Sequence, residues 1–222
     1  MKCLLCHQAI TDNPSLFELF INLKPMSESV CEFCFSKFEP IGKKSCRYCG
    51  KTTDKNVCED CQCWKKHFHM FVKHTALYQY NQAMHDYFRS YKRKGDYQLA
   101  EVFATQIRYT KYFKKYDLIT YIPSTAEHLR TRKFNPVQVL FSQLPLQSVL
   151  EVIHDTGPQA QKNRLQRLQT PQKFAVTKNL NNYQKILIVN DIYTTGRTLN
   201  LARSAILKQN KNCQIETFSL AR

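Results

Sequence analysis

The sequence predicts an α/β protein: a parallel sheet flanked by helices, preceded by a small Cys-rich module. Three observations predict it. From about residue 72 onward, short apolar runs alternate with helix-period runs. One run, Ile186-Leu187-Ile188-Val189, is apolar at every position, as a strand buried on both faces must be. And nine of the ten cysteines lie before residue 64. The division this implies is 1–66 for the Cys-rich module and 67–222 for the α/β domain.

Eight of those cysteines form four Cys-x-x-Cys pairs: Cys3/Cys6, Cys31/Cys34, Cys46/Cys49 and Cys58/Cys61. The spacing lets two thiolates from one tight turn meet one tetrahedral metal, and two turns close a structural zinc site. Four pairs make two sites, a double zinc ribbon. Chain order gives the simplest pairing, and an interleaved pairing satisfies the same spacings. The competing reading is disulfides in a secreted domain. The chain starts Met-Lys-Cys with no apolar run before Cys3, which favours a reducing cytoplasm and zinc. Iron–sulfur ligation fits the spacings less well. Closed four-cysteine sites leave no open coordination position, so the expected role is structural. Cys63 reads as a spare thiol and Cys213 as a core residue.

The elements after the module follow in order. Val72–Tyr80 reads as a strand. Asn81–Lys94 reads as a helix with Asn81 as N-cap and Gly95 as its stop. Tyr97–Phe113 is a second helix. Asp117–Ile122 is a strand halted by Pro123, Asn135–Gln143 a helix, and Ser148–Ile153 a strand. Gln159–Leu168 is polar and basic, and is expected to be mobile. Ile186–Val189 is the central strand, Thr198–Gln209 a helix and Gln214–Leu220 the last strand. No run reaches the ~18 apolar residues a membrane-spanning helix needs.

Charge is concentrated in the larger domain. Lys and Arg outnumber Asp and Glu by 10 to 8 in residues 1–66 and by 23 to 9 in 67–222. Such an excess points to phosphate-bearing partners: nucleic acid, a phosphorylated sugar or anionic lipid. Three basic clusters carry it: Arg93 and Lys94 after Tyr91-Lys92; Lys114 and Lys115 among Tyr109, Tyr112, Phe113 and Tyr116; and Arg130, Arg132 and Lys133 before Phe134-Asn135. Cations beside aromatic rings suit single-stranded DNA, whose bases stack while its phosphates pair. Arg93, Lys94, Lys114, Lys115, Arg132 and Lys133 are the candidate DNA contacts. The rings at 109–116 also fit core packing.

The central strand runs into Asn190-Asp191-Ile192-Tyr193-Thr194-Thr195-Gly196-Arg197-Thr198 and then a helix. Strand, hydroxyl-rich turn and helix start together present backbone N–H groups and a positive dipole end to a phosphate. No Walker A pattern is present. The run resembles the phosphoribosyl-pyrophosphate (PRPP) motif of type I phosphoribosyltransferases. That resemblance implies a PRPP or phosphate site at Asn190, Asp191, Thr194, Thr195, Gly196, Arg197 and Thr198. It also implies a pyrophosphate loop near Ser124, Thr125, Arg130 and Arg132, and Mg²⁺ bound with PRPP. Asp191 would be the catalytic residue of an active enzyme, holding ribose. Asn190 stands where the motif has its first acidic residue; an amide carries no charge and binds metal poorly, which weighs against catalysis.

Taken whole, the chain resembles the ComF family of competence proteins over essentially its full length. The resemblance rests on the Cys pairs, the 191–198 loop, Ile122-Pro123 at a strand end, the Arg132-Lys133-Phe134-Asn135-Pro136 segment, and the Gln159/Arg167 spacing. Lys133 and Pro136 stand where the family usually has Gly and Gln. The resemblance implies a cytoplasmic late competence protein, at the inner face of the membrane or free of it. It would handle incoming single-stranded DNA during natural transformation, alongside a helicase-like ATPase. A working Mg²⁺-dependent phosphoribosyltransferase acting on a nucleobase or nucleotide is the competing expectation.

Overall fold

A computed structural model describes residues 1–10, 29–68, 70–153 and 172–222. Gln159, Arg167 and the whole Gln159–Leu168 stretch lie outside the described residues. The strands among them are β1 (His74–Tyr78), β2 (Leu118–Tyr121), β3 (Leu146–Gln147), β4 (Leu150–Val152), β5 (Phe174–Val176), β6 (Lys185–Ile192) and β7 (Gln214–Ala221). Five form one sheet in the order β1-β7-β6-β2-β3, and every pairing in it is parallel. The protein is α/β with a five-stranded parallel sheet.

The central strand owes its position to composition. Ile186, Leu187, Ile188 and Val189 are completely buried. Leu187 and Val189 join one core with Ile119, Tyr121, Phe218 and Leu220. Ile186 and Ile188 join the other with Leu118 and Ile215. Side chains alternate across a strand, so a run apolar at every position needs cover on both faces.

That cover comes from helices and from the Cys-rich segment. The helices among the described residues are α1 (Glu32–Phe35), α2 (Glu59–Phe68), α3 (Gln82–Arg93), α4 (Glu101–Tyr109), α5 (Ala126–Arg132), α6 (Pro136–Leu140) and α7 (Arg197–Gln209). Met84, Tyr87, Phe88 and Tyr91 of α3, with Phe103 and Ile107 of α4, cover the first face, where Cys3, Cys34 and Phe38 also pack. Leu199, Ala202, Ala205 and Ile206 of α7 cover the second, together with Cys46, Cys49, Cys58 and Cys61. The two Cys groups therefore sit in opposite cores.

Local sequence explains most element ends. The Asn81 side chain accepts from the Met84 amide at 3.1 Å and starts α3. Gly95, at φ +73°, follows its end. The expected helix over Tyr97–Phe113 is three pieces: a 3₁₀ turn at Tyr97–Ala100, α4, and a second 3₁₀ turn at Lys111–Lys115. Thr110 makes the break. Its backbone is extended, and its hydroxyl donates to the Gln106 carbonyl at 2.6 Å, competing with the helix ladder.

Two further departures concern the sheet's far side. The expected Ser148–Ile153 strand is the shorter β4, and it pairs antiparallel with β5 outside the main sheet. The main sheet's edge is instead the two-residue β3, beside β2.

The chain leaves β2 and β6 in opposite directions. β2 leads to its outer neighbour β3, while β6 leads the other way to β7. The crevice outside the carboxyl ends of such a pair is where ligands bind in open α/β sheets.

Candidate functional site

The Asn190–Thr198 run lies at that crevice. Asn190 and Asp191 belong to the end of β6, and Tyr193–Gly196 lead into α7. Gly196 is the N-cap of α7 at φ +77°, a left-handed conformation that favours glycine. A Cβ there would also run into the Tyr193 ring. The glycine is thus required by the loop's own packing. Thr194 and Thr198 are exposed, Thr195 is half-buried, and Gly196 and Arg197 are buried. Thr194, Gly196, Arg197, Thr198 and Asn190 line one shallow hollow.

Asp191 is held from two sides. Its Oδ1 accepts from the Ile192 amide at 2.6 Å. Its Oδ2 pairs with the Lys92 ammonium, which arrives from the last turn of α3. Lys92 also lies 4.7 Å from the Phe88 ring centroid. The Asn190 amide turns back on its own strand end, donating to the Ile192 carbonyl at 3.0 Å. Tyr80 stands nearby with its ring parallel to Phe88 at 6.4 Å. Its hydroxyl is shifted up, first by burial and then by the Asp191 charge.

Beside Asp191 opens a cleft of about 280 Å³ lined by Lys92, Arg93, Lys94, Gly95, His128, Thr131 and Arg132. Two of the basic clusters meet here, the end of α3 and the end of α5. The stretch expected as a pyrophosphate loop is loop only at its start. Ser124 is half-buried, Thr125 caps α5 by accepting from the His128 amide at 3.3 Å, and Arg130 and Arg132 ride on the helix. No residue of α5 is buried, so it carries no apolar periodicity to read. Lys133 ends α5 at φ +66°, which gives the position its own reason to favour glycine. Asn135 caps α6, accepting from the Val137 and Gln138 amides at 2.9 and 3.2 Å.

Lys114 and Lys115 lie elsewhere. They precede β2, at the amino edge of the sheet, opposite the crevice. Lys115 pairs with Glu216 at 3.1 Å, and Tyr112 and Tyr116 donate to the same carboxylate at 2.8 and 2.7 Å. Burial pushes the Glu216 carboxyl up, but those two hydroxyls and Lys115 outweigh it and hold it at about 2. The six candidate DNA contacts are thus not one surface.

The eight paired cysteines form two groups, Cys3/Cys6/Cys31/Cys34 and Cys46/Cys49/Cys58/Cys61. This is the chain-order pairing. Within each group all sulfurs lie within 4.8 Å of one another, a cluster that can hold one tetrahedral zinc ion. Cys63 belongs to neither group. Cys213 is buried, its thiol donating to the Asn210 carbonyl at 3.2 Å. The second group touches the motif loop. Arg222 Nη2 lies 3.6 Å from Cys49 Sγ and 3.4 Å from the Asp60 carboxylate, while its Nη1 donates to the Thr194 carbonyl at 2.8 Å. The Trp64 indole of α2 donates to the Thr195 carbonyl.

No family model matches the chain. Two known proteins resemble it along nearly their whole lengths. The competence protein ComFC of Streptococcus pneumoniae (strain ATCC BAA-255 / R6) is 36% identical over 225 residues, covering 100% of both chains. The chain belongs to the ComFC family of competence proteins. The ComFC of Bacillus subtilis (strain 168) is 28% identical over 228 residues, covering 99% of this chain and 94% of its own. Among the described residues, no helix is long and apolar enough to cross a membrane.

Sequence reasoning does not assign four residues at this ComFC-family site: Lys92, Tyr80, Trp64 and Arg222. Lys92 stands in a basic run, but its pairing with Asp191 is set by how α3 packs. Tyr80 follows a strand end, where site residues gather in parallel sheets. Trp64 and Arg222 carry no local signal, since Trp64 meets Thr195 and Arg222 meets Cys49 and Asp60 across more than a hundred residues, and even Thr194 lies 28 positions before Arg222.

Proposed function

We propose that the protein handles incoming single-stranded DNA during natural transformation. The observation that carries this is the cleft in which Lys92, Arg93, Lys94 and Arg132 converge beside Asp191. Four cations and a histidine around about 280 Å³ suit a phosphate chain better than an apolar ligand. The exposed rings of Tyr80 and Tyr97 give flanking bases surfaces to stack on. The names of the relatives, both competence proteins, support a role in that process. The two four-cysteine groups bind structural zinc and hold the sheet's two cores closed. The family resemblance adds a helicase-like ATPase as partner and the cytoplasmic face of the membrane as the place of action.

The motif loop is the second part of the proposal. It binds PRPP or a related phosphorylated nucleotide as a ligand that tunes DNA affinity. Catalysis is the weaker reading, because Asn190 commits its amide to Ile192 and Asp191 is already paired with Lys92. The test is a titration of single-stranded DNA at two salt concentrations, with and without Mg²⁺ and PRPP. Binding that weakens steeply with salt and responds to PRPP is the expected result. PRPP binding and turnover with no DNA binding would replace this reading with an enzyme.

A further inference from the structure

The second four-cysteine group and the motif loop are joined by one side chain. Only 8% of the Arg222 side chain is exposed, so its charge must be met by buried partners. One nitrogen faces the metal group, at 3.6 Å from Cys49 Sγ and 3.4 Å from Asp60. The other faces the loop, donating to the Thr194 carbonyl at 2.8 Å and the Tyr193 carbonyl at 3.4 Å. The guanidinium also lies 4.7 Å from the Tyr193 ring centroid. A second strut runs parallel to it: Trp64, on the helix that carries Cys61, donates to the Thr195 carbonyl.

We propose that Arg222 is a positioning residue through which the second four-cysteine group sets the backbone of the 193–196 loop. Four thiolates around one divalent zinc carry a net charge of minus two, which a buried guanidinium offsets directly. The planar fork of arginine can serve both sides at once, where a lysine ammonium would serve one. The consequence lies in the peptide planes. In a trans peptide the C=O and N–H point in opposite directions. Arg222 and Trp64 hold the carbonyls of Tyr193, Thr194 and Thr195. The amides of Thr194, Thr195 and Gly196 are therefore turned away from the metal group. Three successive N–H groups so aimed form an anion-binding concavity. This last step rests on the reading of the loop as a phosphate site; the tie between metal group and loop does not.

The experiment compares the zinc-loaded full chain with Arg222→Met and Arg222→Lys. Loop amides are followed by hydrogen exchange, and each Cys group by thiol labelling and mass spectrometry during exposure to a chelator. In Arg222→Met, the second group should bind zinc at least about tenfold more weakly, the usual cost of stripping an outer-shell partner from a metal site, and should yield it to the chelator sooner. The first group should be unchanged, and the Tyr193 and Asn200 amides, which donate to the Ala221 and Gly196 carbonyls at 2.9 Å at the two ends of the loop, should exchange faster. In Arg222→Lys, zinc retention should largely return while loop protection does not. Parent-like loop exchange and thiol labelling in Arg222→Met would overturn the proposal.

If Arg222→Met does not fold, the unmodified chain supplies the test. Loop protection should fall in step with labelling of Cys46, Cys49, Cys58 and Cys61. Loop amides that stay protected after those four thiols are labelled would sink the idea. Trp64 is the chain's single tryptophan, so its fluorescence reports the same contact. A separate PRPP titration keeps the two readings apart: no PRPP binding with intact coupling removes the phosphate site and leaves the tie.

Discussion

Lys92 and Asp191 meet across the carboxyl edge of the sheet, ammonium to carboxylate, with 20% and 12% of their side chains exposed. The pair joins α3 to the end of β6, and it places one cleft cation against the motif's remaining acidic residue. Lys92→Met should strand the carboxylate and lower stability by about 1–3 kcal/mol. Lys92→Met combined with Asp191→Asn should recover most of that, because no uncompensated charge remains. Urea unfolding of the two variants decides it. Equal loss in both would mean that the pair is not coupled.

Gly196 is wedged between a left-handed backbone and the Tyr193 ring. Gly196→Ala should cost at least about 2 kcal/mol, adding a clash to the roughly 1–2 kcal/mol of left-handed strain. In a Tyr193→Leu background the clash is removed and only the backbone part should remain. Thermal melts of the four chains separate the two contributions. The same penalty in both backgrounds would clear the ring of any part in it.

Lys133 sits at φ +66° at the end of α5. Lys133→Gly should stabilise the protein by about 0.5–1 kcal/mol, raising Tm by roughly 2–4 °C per kcal/mol for a chain of this size. An unchanged or lower Tm would show that the lysine side chain makes up for the strain elsewhere.

Acid stability should fall in two stages. His74 is buried between Thr217 and Ser219, at 2.9 and 3.0 Å. Burial, and then the Arg222 charge, hold its pKa well below the usual value of 6.5. The folded protein keeps His74 neutral while the unfolded chain takes up a proton, so stability declines as pH drops below about 6.5. Glu216 acts lower down. Its folded pKa of about 2 lies below its ordinary 4.5, so its contribution is present above 4.5 and is lost as pH falls through about 2. Each slope is limited to about 1.4 kcal/mol per pH unit. Glu216→Gln should flatten only the lower stage, measured by denaturant melts from pH 7 to 3. A change confined to the upper stage would contradict this assignment.

The basic residues should divide by function. Arg93→Ala and Arg132→Ala should each reduce the salt dependence of single-stranded DNA binding by about 0.7, one phosphate contact apiece. Lys115→Ala should leave that slope alone and instead lower stability at neutral pH and flatten the lower acid stage, since its partner is Glu216. A slope reduced equally by all three would place DNA on both edges of the sheet.

What can be read from the sequence is what neighbours decide. Ile186–Val189, Asn81 and the Cys-x-x-Cys pairs each carry their message within a few positions, and each is found as expected. Thr110 escapes such a reading because one hydroxyl redirects a helix that its apolar spacing supports. α5 escapes it because a helix with no buried residue leaves no periodic trace. The site is half legible for the same reason. The loop announces itself, but Lys92, Trp64 and Arg222 matter through partners that folding brings from as far as 99 to 173 positions away.

The placement of Arg222 also bears on how the molecule is made. Cys46 to Cys61 leave the ribosome early, yet the guanidinium that meets their charge lies in a segment synthesised more than 150 residues later. At about 5–20 residues per second, the nascent chain carries that cluster for roughly ten to thirty seconds without its counter-charge or its covering strand. Zinc acquired in that interval would be held by a half-built shell. Translation speed and free zinc supply should therefore set the yield of native protein, independently of the finished fold's stability.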